Sequence, residues 1–279
     1  MPSSRRSMRG SACGPFPGDP MIYRLLTADD TSAFCHKVSE AISKGWELYG
    51  DPAYAYELAV VIQDGLRRMY HEGENKFYYI TTMNENYQHP EMPTGAEEGI
   101  IKGLYRMTKT SRPGKKHVNL MGSGVILCQA IRAAEMLKED FGVTSDIWSA
   151  TSFTELARDG QDVLRHNRLN PLGEEKVPYV TELMQNVKGP VIAATDYVKN
   201  FAEQIRAFVP NRYTVLGTDG FGRSDSRENL RRFFEVDANH IAAAAMVDLH
   251  REGAVSDKDL TAALKKYDID GGKPNPRLS

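Results

Sequence analysis

Cysteine is scarce in this sequence. Cys13, Cys35 and Cys128 are odd in number and far apart, with no C-x-x-C pair, so neither a disulfide framework nor a zinc site is indicated. A reducing cytoplasm is the expected compartment. Long apolar runs are missing too: none approaches the ~20 residues of a membrane span, and no membrane partner is expected. Neither sign of charge dominates, since 35 basic and 37 acidic side chains leave a net charge of −2. That balance gives no bulk attraction to nucleic acid or to an acidic membrane surface. Arg67-Arg68 and Arg231-Arg232 are basic pairs on helix faces, without the interleaved aromatics of a nucleic-acid surface. His117, His166, His240 and His250 are isolated, and none has metal spacing such as H-E-x-x-H.

What is present is ample core material, with a hydrophobic fraction of 41%, and a change of character along the chain. Residues 1–20 are rich in Ser, Arg, Gly and Pro, with Arg5, Arg6 and Arg9 but no apolar stretch after them. They read as a disordered leader, or as residues ahead of a true start at Met21. Residues 21–50 read as a small β-α-β fragment. Ile22–Leu26 is a short apolar run, Ala33–Lys44 has helical spacing, and Trp46–Tyr49 suits a second strand. Across 51–89, Leu58, Val61, Ile62, Leu66 and Met69 predict a helix over Tyr54–Tyr70, and Phe77–Met83 a strand. Residues 90–279 alternate strand and helix. Strands are predicted at Val118–Leu127, Asp146–Ala150, Val191–Thr195 and Tyr213–Leu216. Helices are predicted at Ala130–Phe141, Glu155–Leu164, Asp196–Phe208, Glu228–Phe234, His240–His250 and Asp257–Tyr267. Short apolar strands between amphipathic helices imply an α/β fold, with a mostly parallel sheet and helices on both faces.

Five local patterns invite a structural or chemical reading. Ser152-Phe153-Thr154-Glu155 is a capping box, and Asp225 to Glu228 resembles another acidic helix start. Gly122-Ser123-Gly124 suits either a tight sheet-to-helix turn or, less well, a phosphate cradle; the full dinucleotide fingerprint fails, because no third glycine follows. The loop GTDGFGRSDSREN at 217–229 is the richest. Asp219, Arg223, Asp225 and Arg227 suit a mutually paired charge network, serving either an active-site mouth or subunit interface, or simply a fixed strand-to-helix turn. Asn84 to His89 clusters polar groups after a strand. Glu85 and His89 suit acid–base work if buried together, and a linker between domains otherwise.

Long stretches resemble a known family. YYITTMNENYQHPEMPTGAEEGI at 78–100, TSFTELARDGQD at 151–162, TDYVKNFAEQIR at 195–206, the GTDGFGRSDSREN loop and NPRL at 275–278 are similar to the C-terminal part of homodimeric bacterial pyruvate dehydrogenase E1. The resemblance covers about residues 51–279 and is nearly ungapped. Residues 51–89 resemble the end of that family's pyrimidine-binding domain, and 90–279 its transketolase-like C-terminal domain. Residues 21–56 resemble a small bacterial domain of unknown function, and the two likenesses meet in DPAYAYE at 51–57, as in a fusion or a spliced chain. The family implies thiamine diphosphate and Mg²⁺ as cofactors, a homodimer, and the lipoyl-bearing E2 as partner. Members bind the diphosphate and Mg²⁺ through a G-D-G…N motif in an N-terminal domain, and this chain has no such motif; Thr218-Asp219-Gly220 lacks the preceding glycine. No catalytic, cofactor-binding or metal-binding residue therefore transfers to a numbered position. The chain alone is expected to bind no cofactor and to lack turnover, which leaves a non-catalytic dimerisation or docking module as the alternative.

Overall fold

The computed structural model describes residues 48–279. The leader expected at 1–20 and most of the fragment expected at 21–50 lie outside the described residues. Residues 48–64 and 79–279 belong to one compact unit, and Gly65–Tyr78 to another. β1 (Leu48–Gly50) pairs in parallel with β2 (Tyr79–Ile80). Among the described residues, the strand expected over Phe77–Met83 pairs over Tyr79–Ile80. α1 (Ala55–Leu66) runs into a single π turn, Arg67–His71, so the helix expected over Tyr54–Tyr70 widens in its last turn. Within Gly65–Tyr78, Glu74 Oε2 accepts from Arg68 Nε at 2.9 Å and meets Lys76 Nζ at 3.0 Å.

A short helix, α2 (Glu97–Lys102), opens the larger α/β region. Its sheet contains β3 (Tyr105–Thr108), β4 (His117–Gly122), β5 (Thr144–Ser149), β6 (Val191–Ala194) and β7 (Tyr213–Leu216), in the order β3-β5-β4-β6-β7. β5, β4, β6 and β7 run parallel, as the sequence predicts, and β3 adds an antiparallel edge. β3 was not legible: YRMT is short and carries no strong strand pattern.

The strands show why apolar runs rather than alternating ones mark a sheet covered on both faces. Successive side chains point to opposite faces. Val118 and Leu120 of β4, Ile147 of β5, and Ile192 and Ala194 of β6 enter one core. Met121, Trp148, Val191 and Ala193, the residues between and beside them, enter the other. The first core is closed by α3 (Ile126–Phe141), α8 (Ala238–Arg251) and α9 (Asp257–Lys266). The second is closed by α4 (Phe153–Leu169), α5 (Tyr179–Met184) and the stretch holding α6 (Lys199–Glu203) and a 3-10 turn, Arg206–Phe208. Between β7 and α8 lies α7 (Arg227–Phe233). Each fully buried Leu or Ile in these layers contributes roughly 1.5–3 kcal/mol.

Several boundaries differ from expectation, each for a local reason. β4 stops at Gly122, and Ile126 already lies in α3. Gly124 turns the chain with φ +54°, and the Leu127 amide donates to the Gly124 carbonyl at 3.1 Å; an apolar run such as VILC does not by itself distinguish strand from buried helix. The expected helix Asp196–Phe208 is split into α6 and the 3-10 turn. Half of the predicted capping box is made: Ser152 Oγ accepts from the Glu155 amide at 3.0 Å. The Ser152 amide donates to Gly103 O at 3.1 Å, and the Glu155 carboxylate pairs with Arg158.

Candidate functional site: the carboxyl end of the sheet

From β4 the chain passes to β5 on one side, then returns to β6 and β7 on the other. The order therefore reverses between β4 and β6, and open α/β sheets place their functional crevice at the carboxyl ends of such strands. Two turns leave the sheet there: Gly122-Ser123-Gly124 after β4, and Thr195-Asp196 after β6. The Ser123 amide donates to Ala194 O at 3.1 Å, and the Gly124 amide to Asp51 O at 2.9 Å. These amides are already taken by carbonyls, so the glycine turn serves as a strand-to-helix turn, not as a phosphate cradle.

Asp51 sits over this turn. Its amide donates to Thr151 O at 3.1 Å, and Thr81 Oγ1 donates to its Oδ1 at 3.3 Å. A Cβ built on Gly124 would lie 1.9 Å from Asp51 Oδ2, so the close approach requires glycine as much as the positive φ does. The Asp51 carboxyl also meets that of Asp196, whose Oδ1 is buried without a hydrogen-bond partner. Burial first, and the neighbouring Asp196 charge second, push the Asp51 carboxyl up to about 8. Asp196 is raised as well, chiefly by burial, while the Arg231 cation acts to lower it. The Tyr197 hydroxyl donates to Thr81 Oγ1; burial keeps that phenol protonated well above its ordinary range.

Beside this pair lies Glu57, fully buried. Its Oε1 accepts from Tyr105 Oη at 2.7 Å and Ser149 Oγ at 2.6 Å. Its Oε2 accepts from the Ala53 and Tyr54 amides at 2.5 and 2.9 Å. One carboxyl thus caps α1 from its N3 position and ties that helix start to β3 and β5. Tyr56 Oη lies 2.6 Å from Tyr105 Oη and extends the network.

Glu85 and His89 each have a partner of their own. Both oxygens of Glu85 accept from Arg231, and Arg227 Nε lies 3.7 Å away. His89 Nδ1 accepts from the Ala55 amide at 3.0 Å, and its ring stacks on Tyr87 with centroids 4.9 Å apart. Tyr87 Oη in turn donates to Ala53 O. Through its bond to the Ala55 amide, His89 holds the start of α1.

The loop at 217–229 does not form the mutually paired network that its charges suggest. Asp219 Oδ1 accepts from the Lys199 amide at 3.0 Å. Arg223 donates to Ser279 O at 2.5 Å and lies 4.3 Å over the Phe233 ring. Asp225 accepts from the Ser226 amide at 2.6 Å and from Asn229 Nδ2 at 2.8 Å. Arg227 donates to Asn84 Oδ1 at 2.5 Å. Ser226, not Asp225, caps α7. One flank of the loop opens on a cleft of about 250 Å³ lined by Lys199, Gly217, Asp219, Phe234, Lys273 and Asn275, among others.

The group at the sheet's carboxyl end, Asp51, Glu57, Thr81, Asp196 and Tyr197, escaped the sequence reading. Asp196 carried a signal, since an acid directly follows an apolar strand at its carboxyl end. Asp51 and Glu57 carried none, because they reach the sheet through tertiary packing. The group brings the Asp51 and Asp196 carboxyls together. It does not suit a diphosphate–Mg²⁺ pair: its carboxyls repel phosphate, its nearby amides are taken, and among the described residues no set of three or more His, Cys, Asp or Glu is placed to hold a metal.

Comparison with known proteins agrees with this architecture. Residues 103–237 match the family described as the transketolase-like TK C-terminal domain, and residues 21–63 match a domain of unknown function, DUF1737. The pyruvate dehydrogenase E1 component of Cupriavidus necator is 55% identical over 227 residues, covering 81% of this chain and 25% of that protein. That of Escherichia coli is 56% identical over 231 residues, covering 82% and 26%. A solved Pichia stipitis transketolase, in complex with sedoheptulose-7-phosphate, aligns at TM-score 0.51 and 13% identity, over 75% of this chain and 26% of that one. A second, in complex with xylulose-5-phosphate, aligns at 0.53 and 12%, over 79% and 28%. Those two show the fold alone. Among the described residues no helix is long and apolar enough to cross a membrane. The chain is thus similar to the pyruvate dehydrogenase E1 component over about a quarter of that protein's length, and its residues 103–237 match the model of the transketolase-like C-terminal domain.

Proposed function

We propose that this chain supplies the transketolase-like C-terminal part of a pyruvate dehydrogenase E1-type enzyme in the cytoplasm. That enzyme uses thiamine diphosphate and Mg²⁺ to decarboxylate pyruvate and pass the acetyl group to the lipoyl group of E2. The single observation behind the reading is the 55% identity over 227 residues to a pyruvate dehydrogenase E1 component. The acidic crevice supports reading the chain as a structural partner in that reaction rather than the holder of its cofactor. It acts by associating with an E1 subunit and carries no turnover of its own.

The test has two arms. The full chain, incubated with pyruvate, thiamine diphosphate, Mg²⁺ and an artificial electron acceptor, is expected to show no turnover above the blank. Co-expressed with tagged intact Cupriavidus necator E1, it is expected to co-purify at a fixed stoichiometry. A monodisperse monomer that ignores E1 overturns the association, and pyruvate-dependent acceptor reduction by the chain alone overturns the non-catalytic role.

A further inference from the structure

The carboxyl end of the sheet holds a pair of like-charged groups where salt-bridge partners are the rule. Asp51 comes from the segment between β1 and α1, and Asp196 from the turn after β6. Asp51 is 2% exposed, and the second Asp196 oxygen is buried without a partner. Two adjacent carboxyls in such a place cannot both ionise cheaply, and sharing one proton is the stable arrangement.

The other groups around the pair do not neutralise it. From α1, Glu57 adds a carboxyl. From the segment after β2 come the Thr81 hydroxyl and the Tyr87 phenol, the latter pushed up to about 12 chiefly by burial. From the turn after β6 comes the Tyr197 phenol, raised above its ordinary range. From α7, the Arg231 cation acts on Asp196, but it is already bound by both oxygens of Glu85.

The same residues fasten the β1–α1 segment and the chain after β2 to the sheet: Asp51 through Thr151, Gly124 and Thr81, and Thr81 through Tyr197. We propose that Asp51 and Asp196 form a proton-operated latch, closed while the pair holds one proton and loosened as that proton is lost, which fixes the β1–α1 segment on the carboxyl end of the sheet.

The sign of the effect follows from linkage. Asp51 is raised from 3.8 to about 8. Below the lower value both the latched and the released forms hold the proton. Between the two values only the latched form does, so latching weakens as pH rises and the loss levels off above the upper value.

The test uses the full chain. Carbon-13 NMR of its aspartate carboxyls should show one group titrating far above the ordinary carboxylate range. Hydrogen exchange of backbone amides in 51–63, corrected for intrinsic rates, should lose protection by roughly tenfold per pH unit from about pH 5 to about pH 8 and then plateau. Asp51→Asn should abolish that slope. Asp196→Asn should lower the titration point and bring the plateau at lower pH. If Asp51→Asn does not fold, the wild-type carboxyl titration and Asp196→Asn decide the matter. Absence of a high-titrating carboxyl, or a plateau at the same pH in wild type and Asp196→Asn, overturns the latch.

Discussion

The two ends of the main sheet treat buried charge in opposite ways. At the amino end, Asp146 accepts from the Thr110 amide at 2.6 Å and from Arg106 at 3.2 Å, with His117 Nε2 at 3.7 Å. Asn119 accepts from Trp148 Nε1 at 3.1 Å and donates to Lys188 O at 2.8 Å. The buried acid there, Asp146, has cationic and donor partners, which is how interiors normally tolerate charge. At the carboxyl end, Asp51 faces Asp196. One sheet therefore carries a partnered buried acid, Asp146, at one end and two facing carboxyls at the other. The lesson is that the residues left electrostatically uncomfortable lie where open α/β sheets place function.

The largest expected effect tests what holds the carboxyl end together. Glu57→Ala removes the acceptor of two hydroxyls and two amides at once. Stranding buried donors is the expensive way to lose hydrogen bonds, so a loss of about 4 kcal/mol is expected in urea denaturation. A change below about 1 kcal/mol would show that water replaces the carboxyl freely, and the end would not be the closed site described here.

Next is Gly124→Ala. A methyl there meets Asp51 Oδ2 at 1.9 Å on a backbone with φ +54°. Displacing Asp51 and straining the turn should destabilise the chain by about 2–3 kcal/mol. Ala at Gly142, also at positive φ but with nothing within 4 Å, should cost only about 1 kcal/mol. Equal losses at both would mean that backbone strain alone, and not contact with Asp51, sets the cost.

The amino end offers the contrasting pH test. Burial is the first cause that holds His117 below its ordinary value of 6.5, against the opposing pull of Asp146. The unfolded chain takes up the proton first as pH falls through that value, so stability drops on acidification until the folded ring also titrates. Asp51 gives the opposite sign, with stability lost on alkalinisation. His117→Gln should flatten the acid limb and leave the alkaline limb unchanged. An unchanged acid limb would remove His117 from the account.

How much of this was legible follows from where each signal resides. β4 to β7 were readable because a strand buried on both faces writes itself as a short apolar run, as in VIAA at 191–194. Helix starts were readable through Ser152, whose hydroxyl accepts from Glu155 N. The GTDGFGRSDSREN loop was conspicuous in sequence, yet its charges disperse to Lys199, Ser279, Asn229 and Asn84; composition reveals which charges exist, and tertiary geometry chooses their partners. Asp51 and Glu57 were invisible for the same reason. Glu57 meets Ser149, a residue 92 positions away, and no local window spans that distance.

The smallest expected effect concerns Arg231, the cation that acts on Asp196. Its guanidinium binds Glu85 through both terminal nitrogens, and the partners are 14% and 23% exposed. Solvent screening reduces such a pair, so Arg231→Ala should lower stability by about 0.5–1 kcal/mol. Arg231→Lys should recover part of the charge effect but not the two-pronged contact. The more informative readout is electrostatic. Removing the cation leaves Asp196 and Asp51 with less to offset their mutual repulsion, so the high-titrating carboxyl should move further up in Arg231→Ala and stay near its wild-type position in Arg231→Lys. If neither variant moves it, Glu85 has already neutralised Arg231, and the carboxyl end is still less compensated relative to the amino end than the distances imply.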